Sequence, residues 1–141
     1  MNFCDAHRLP RAHVDPVDDH AARLLISSVL ATPPRPESFI VFLDADRCAS
    51  TIMTVSGTDD PDAILDIAAF AGAAASGAGF SSVVLASVRA DDPFDLDDAE
   101  RWLDIDAEIA SAGVELVEWY VIGPTVSTPR SLIGEPPRWA A

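Results

Sequence analysis

Apolar and polar positions alternate between two rhythms along this chain, and the change of rhythm marks its elements. Asp15 and Pro16 are followed by Val17, Ala21, Leu24, Leu25 and Val29 at helical spacing. Aspartate as N-cap, proline in the first turn, and Asp18 and Asp19 close behind predict a helix that starts here. The segment TPPRP (32–36) ends it and forms a stiff linker. Residues 38–44 (SFIVFLD) then read as a strand, 45–48 as a turn, and 49–56 (ASTIMTVS) as a second strand. Two strands joined by so short a loop pair as an antiparallel hairpin. Residues 61–76 are rich in alanine and apolar nearly all round, which predicts a helix packed closely on a sheet.

The centre of the pattern is the stretch 79–98, GFSSVVLASVRADDPFDLDD. Ser82–Ala86 is a β-branched apolar run, expected as a strand buried on both faces. Asp91, Asp92, Pro93 and Phe94 turn the chain. Asp95 is the expected N-cap of a further helix, with Asp97 and Asp98 in its first turn. That helix runs to about residue 112, with Ala99, Trp102, Leu103, Ile109 and Ala110 as its expected core stripe, and Gly113 suits the position after its end. Residues 114–122 (VELVEWYVI) form a last long strand, which Glu115 and Glu118 mark as near a sheet edge. Trp139, in the proline-rich tail, is expected to pack back on the body. The order of helix, strand, strand, helix, strand, helix, strand predicts a mixed-sheet α/β domain with helices covering the sheet.

Length makes this one domain: an N-terminal arm over 1–14, expected to be flexible, a body over 15–132, and a tail over 133–141. The formal net charge is −14, lysine is absent, and all basic residues are arginine. That charge repels phosphate backbones and disfavours direct nucleic-acid binding. Cys4 and Cys48 have no CxxC spacing and imply neither a disulfide framework nor a zinc ribbon. The first residues lack the apolar core of a signal peptide, and no apolar run is long enough to span a bilayer. A cytoplasmic protein away from membranes is the expectation.

The pieces ESFIVFLD (37–44), VSGT (55–58), SVVLAS (82–87), AGVELVEWYVIG (112–123) and Ser131-Leu132 together resemble the RadC-like branch of the JAB/MPN (JAMM) metallopeptidase superfamily, a bacterial group. The resemblance covers about two-thirds of the chain. It implies a cytidine-deaminase-like three-layer α/β/α sandwich with a mixed sheet. Active members carry an upstream Glu and the pattern H-x-H-P-S/T-G, then P-S-x-x-D. The two His and the Asp bind zinc, and the Glu works on the metal-bound water. By this resemblance Glu37 matches the upstream Glu and Asp98 the ligand Asp. Ser87 and Arg89 stand at the two His positions, and Ala90, Asp91 and Asp92 stand where Pro-Ser/Thr-Gly follows.

Catalytic zinc needs about three protein ligands. Serine is a poor one, and arginine is a permanent cation. No histidine follows His20. The expectation is therefore a non-catalytic domain with a degenerate metallopeptidase site (Glu37, Ser87, Arg89, Asp98). It holds no metal or cofactor and acts as an interaction or scaffold module for an unidentified protein partner. Two alternatives stand beside it. One is a metal-dependent hydrolase rebuilt with Cys4, His7, His13 and His20 of the arm. The other is a DNA-repair-associated accessory protein that does not itself touch DNA. Ser87 as a nucleophile fails for want of a downstream histidine. Arg89 in place of a ligand histidine is expected either to hold Asp98, Glu37 or both, or to point from the loop into solvent.

Overall fold

The computed structural model describes residues 9–89 and 95–139. Its elements are α1 (Asp19–Val29), β1 (Glu37–Leu43), β2 (Ala49–Ser56), α2 (Ala63–Ala78), β3 (Ser82–Val88), α3 (Asp98–Ser111), β4 (Glu115–Ile122), β5 (Val126–Ser127) and a 3-10 helix (Pro129–Ile133). The five strands form one sheet in the order β2-β1-β3-β4-β5. β1 is antiparallel to both β2 and β3, β3 is parallel to β4, and β5 returns antiparallel on β4. The fold is therefore mixed α/β, as the element order predicts.

Period-two alternation divides the core between the two faces of the sheet. Ile40, Phe42, Val83, Leu85, Trp119 and Val121 point to one face, where α2 and α3 pack through Ile64, Ala68, Ala71, Trp102, Ile105 and Ile109. Phe39, Val41, Val84, Ala86, Val117 and Tyr120 point to the other, where α1 packs through Ala22, Leu25 and Ile26. β1 and β3 are buried along their whole length, since helices cover both sides. A Cβ on Gly72 would come 3.2 Å from the Ala112 side chain, so this glycine lets α2 and the end of α3 approach closely.

Several local expectations need correction. α1 begins later than Asp15-Pro16: Asp18 is the N-cap, its carboxylate accepting the Ala21 N–H at 2.8 Å. Pro16 instead bridges to Cys48, and the Val17 N–H bonds the Arg47 carbonyl, which holds this backbone extended. α3 also begins later, with Asp97 at the N-cap, because the Asp95 carboxylate closes a turn on the Asp97 N–H. Along α3, Leu103 and Ala110 face solvent and Ile105 is buried in their place. On α1, Val29 is exposed. On α2 only one face is buried, leaving Leu65 and Phe70 outside.

The tail is bound to the body. The Arg138 guanidinium holds Asp106 at 2.8 and 3.1 Å, donates to the Leu116 carbonyl at 2.8 Å and stacks 5.0 Å from the Trp102 ring. Trp139 packs against the α1-side core. β4 lies next to the sheet edge, as its two glutamates suggest; Glu118 itself is buried, and Arg130 of the 3-10 helix meets it at 3.0 Å. No described helix is long and apolar enough to cross a membrane.

Candidate functional site

The parallel pair β3–β4 delivers its C-terminal ends beside the start of α3, where open α/β sheets form their binding crevices. Register puts Ser38 opposite Ser87 and Ser87 opposite Val121. Ser87 shares the α2/α3 face with Val83 and Leu85 by strand alternation, and Arg89 continues that face just past the strand. The Arg89 N–H bonds the Ile122 carbonyl at 2.7 Å, which extends the β3–β4 pairing by one residue and aims the side chain at α3.

There Arg89 meets Asp98 in a two-pronged ion pair. Its Nη1 and Nη2 donate to the two carboxylate oxygens at 2.6 and 2.8 Å. The Asp98 side chain is 2% exposed and that of Arg89 12%. The fixed fork of a guanidinium matches a carboxylate in this geometry, and the pairing is the one expected for an arginine in a ligand position. Arg89 also lies 5.9 Å from the Trp119 ring. The Ser87 hydroxyl accepts the Trp119 indole N–H at 3.0 Å.

A second arginine extends the network. Arg101, three residues along α3 from Asp98, donates to Asp98 at 3.0 Å, to Asp95 at 2.9 Å and to Asp62 at 2.9 Å. Burial alone would lower the Arg101 pKa, but the hydrogen bonds from Asp95, Asp62 and Asp98 outweigh it and leave the group more basic than usual. The Asp95 carboxyl is held below its ordinary range, first by the Arg101 hydrogen bond and then by the Asp97 N–H. Sequence reasoning named Asp95, Asp97 and Asp98 but missed Arg101 and Asp62. The spacing of Asp98 and Arg101 on one helix face was the available signal, and Asp62 comes from a distant element.

Glu37 does not join this group. It shares its face with Phe39 and Val41, on the α1 side of the sheet, opposite to Ser87 and Arg89. Its carboxylate accepts the Ala31 N–H at 3.2 Å and lies 3.7 Å from the Arg35 guanidinium. Strand alternation is the physical reason: an odd step in register turns a side chain to the other face. The structure thus brings together Ser87, Arg89 and Asp98 and leaves Glu37 out.

These residues do not fit the zinc that the resemblance implies. One position is a cation, the serine hydroxyl is engaged by Trp119, and both Asp98 oxygens are held by guanidinium groups. Among the described residues, no group of three His, Cys, Asp or Glu side chains is placed to hold a metal ion. Of the arm ligands, the two that are described, His13 and His20, do not reach Asp98. His13 sits 3.4 Å from Ser50 and 3.9 Å from Asp44, at the β1–β2 turn. Its ring is thus engaged beside the hairpin, and His20 is exposed on α1. Cys4, His7, and the loop residues Ala90, Asp91, Asp92, Pro93 and Phe94 lie outside the described residues.

Two cavities flank the ion pair. One of about 300 Å³ is walled by Leu30, Pro34, Val88, Ile122 and Pro124, with Arg89 on its lining. The other, of about 240 Å³, lies between Asp95 and Asp98 on one side and Thr128, Ser131 and Leu132 on the other. In both, the charged groups that reach the wall are already in ion pairs, Arg89 with Asp98 and Asp95 with Arg101. The arrangement is suited to tying β3 to α3 and α2, and among the described residues the Ser87 hydroxyl is bonded to the Trp119 indole rather than to a base.

No protein-family model matches this chain, and no curated protein or solved structure matches it.

Proposed function

We propose that the chain is a non-catalytic domain of the RadC-like JAB/MPN type, an interaction or scaffold module in which a salt bridge replaces the metal. One observation carries this reading: Arg89, at the position of a ligand histidine, grips both oxygens of Asp98, at the position of the ligand aspartate. Taking a divalent cation from beside a buried carboxylate leaves uncompensated negative charge, which is costly. A permanently protonated arginine restores the balance without any titration or metal supply. The result is a site whose buried carboxylate is balanced by arginine, which keeps the fold and gives up the Lewis acid. Such a domain acts through its surface.

The test is a gain of metal. Full-length protein purified without chelator is expected to hold no stoichiometric zinc by elemental analysis. The double variant Ser87→His/Arg89→His rebuilds the two imidazoles beside Asp98 and is expected to bind about one zinc per chain, with a raised melting temperature on metal addition. Zinc at one per chain in the parent would overturn the non-catalytic reading. A folded double variant with no zinc affinity would overturn the family alignment on which it rests.

A further inference from the structure

The two lateral edges of the sheet are treated differently. On the β4 side, β5 pairs with Val121 and Ile122, and Arg138 occupies the Leu116 carbonyl. On the other side, β2 pairs with β1, and its outer edge is met by described residues only at its beginning, through Pro16 at Cys48 and the His13 N–H on the Ala49 carbonyl.

The phase of the β1–β2 ladder tells which groups face outwards. The Gly57 N–H bonds the Pro36 carbonyl, in register with Glu37 opposite Ser56. Hydrogen-bonded and non-bonded pairs alternate in an antiparallel ladder, so the backbone groups of Thr51, Met53 and Val55 face β1. Those of Ile52, Thr54 and Ser56 face away from it.

The register shift at Ser50 and the N-terminal segment protect only the start of this edge; beyond it the usual charges and prolines are missing. Ala49–Ser56 has no charge and no proline, in a chain of net charge −14, and its Thr, Ile and Val favour strand pairing. Ile52, Met53 and Val55 are only half-buried.

We propose that β2 is a homodimerisation edge, where a second copy of this chain pairs antiparallel through its own β2. A two-fold axis at Thr54 places Thr54 opposite Thr54 and Ile52 opposite Ser56. Each outward N–H and C=O of these three residues then has a partner, and the stretch held by the N-terminal segment stays outside the contact. Met53 and Val55 of the two copies become neighbours, covering half-buried apolar surface. A second copy fits because the register about Thr54 is self-complementary and the strand is uncharged, so pairing sets no like charges opposite one another although each copy carries −14. With the β4 side sealed, the pairing is isologous and closes at two copies.

The experiment is sedimentation of the full chain over a concentration series, with amide hydrogen exchange read at Ile52, Thr54 and Ser56. A species of twice the 15.0 kDa chain mass is expected, with slow exchange at those three amides. Thr54→Pro removes an outward N–H that β1 does not use. Thr54→Lys sets like charges across the axis, and each is expected to weaken the dimer about tenfold or more. Unchanged exchange at β1 and β3 amides shows that the variants fold. A monomer at all concentrations overturns the proposal, whether the three amides exchange freely or are protected within one chain. So does a dimer that survives both variants.

Discussion

Arg89 and Asp98 share two hydrogen bonds at 2.6 and 2.8 Å across the junction of β3 and α3, with the carboxylate almost fully out of water. The pair ties the end of β3 to the start of α3, and its removal is the most direct probe of the site.

Arg89→Ala is expected to destabilise the protein by about 3 kcal/mol, the lower end of the cost of breaking a buried pair, because Arg101 still holds one Asp98 oxygen. Arg89→Lys keeps the charge but loses the fork, and should recover only part of this. Equilibrium urea unfolding measures both. A stable Arg89→Ala protein would mean that the pair does not hold the junction.

Glu118 sets a pH dependence. Burial raises its pKa above the ordinary 4.5, against the pull of Arg130. A carboxyl with a raised folded-state pKa contributes stability that is fully present below its unfolded pKa and lost as pH rises through the folded one. Glu118→Gln should therefore remove a decline in stability that the parent shows as pH rises above 4.5. Asp95, whose pKa is lowered from 3.8, works in the opposite direction and in a different window. Its contribution is present above 3.8 and fades as pH falls through its folded value. Unfolding curves of Glu118→Gln and Asp95→Asn across pH separate the two.

The tail is predicted to be part of the fold. Arg138→Ala loses the bonds to Asp106, Glu135 and the Leu116 carbonyl, and should cost about 1.5–3 kcal/mol. Deleting residues 135–141 also removes Glu135 from the Trp102 indole N–H, so tryptophan emission should shift to the red. Unchanged emission and stability would show that the tail is dispensable.

Direct DNA binding is expected to be absent. A mobility shift at low salt is the most permissive assay, because low salt strengthens phosphate contacts. Binding that persists at physiological salt would contradict the repulsion expected from a net charge of −14.

The hydrophobic pattern by itself determined the element order, the β1–β2 hairpin, the doubly buried β3 and the positive-φ turn at Gly113. These follow from local periodicity and turn chemistry. The resemblance in the motif stretches singled out Arg89 and Asp98 as partners. Tertiary structure alone decided the rest. Glu37 and Arg89 are both charged residues at the same end of the sheet, yet alternation puts them on opposite faces, a relation that depends on which strand lies beside which. Glu118 marks β4 as near a sheet edge in the sequence, but only the folded chain shows Arg130, twelve positions on, closing over it. Asp15 has the chemistry of a helix cap, but Pro16 is claimed by Cys48 of the hairpin and the cap passes to Asp18. In each case the competing partner comes from a different element, and the free energy of a long-range pair overrides a local preference worth about 1 kcal/mol.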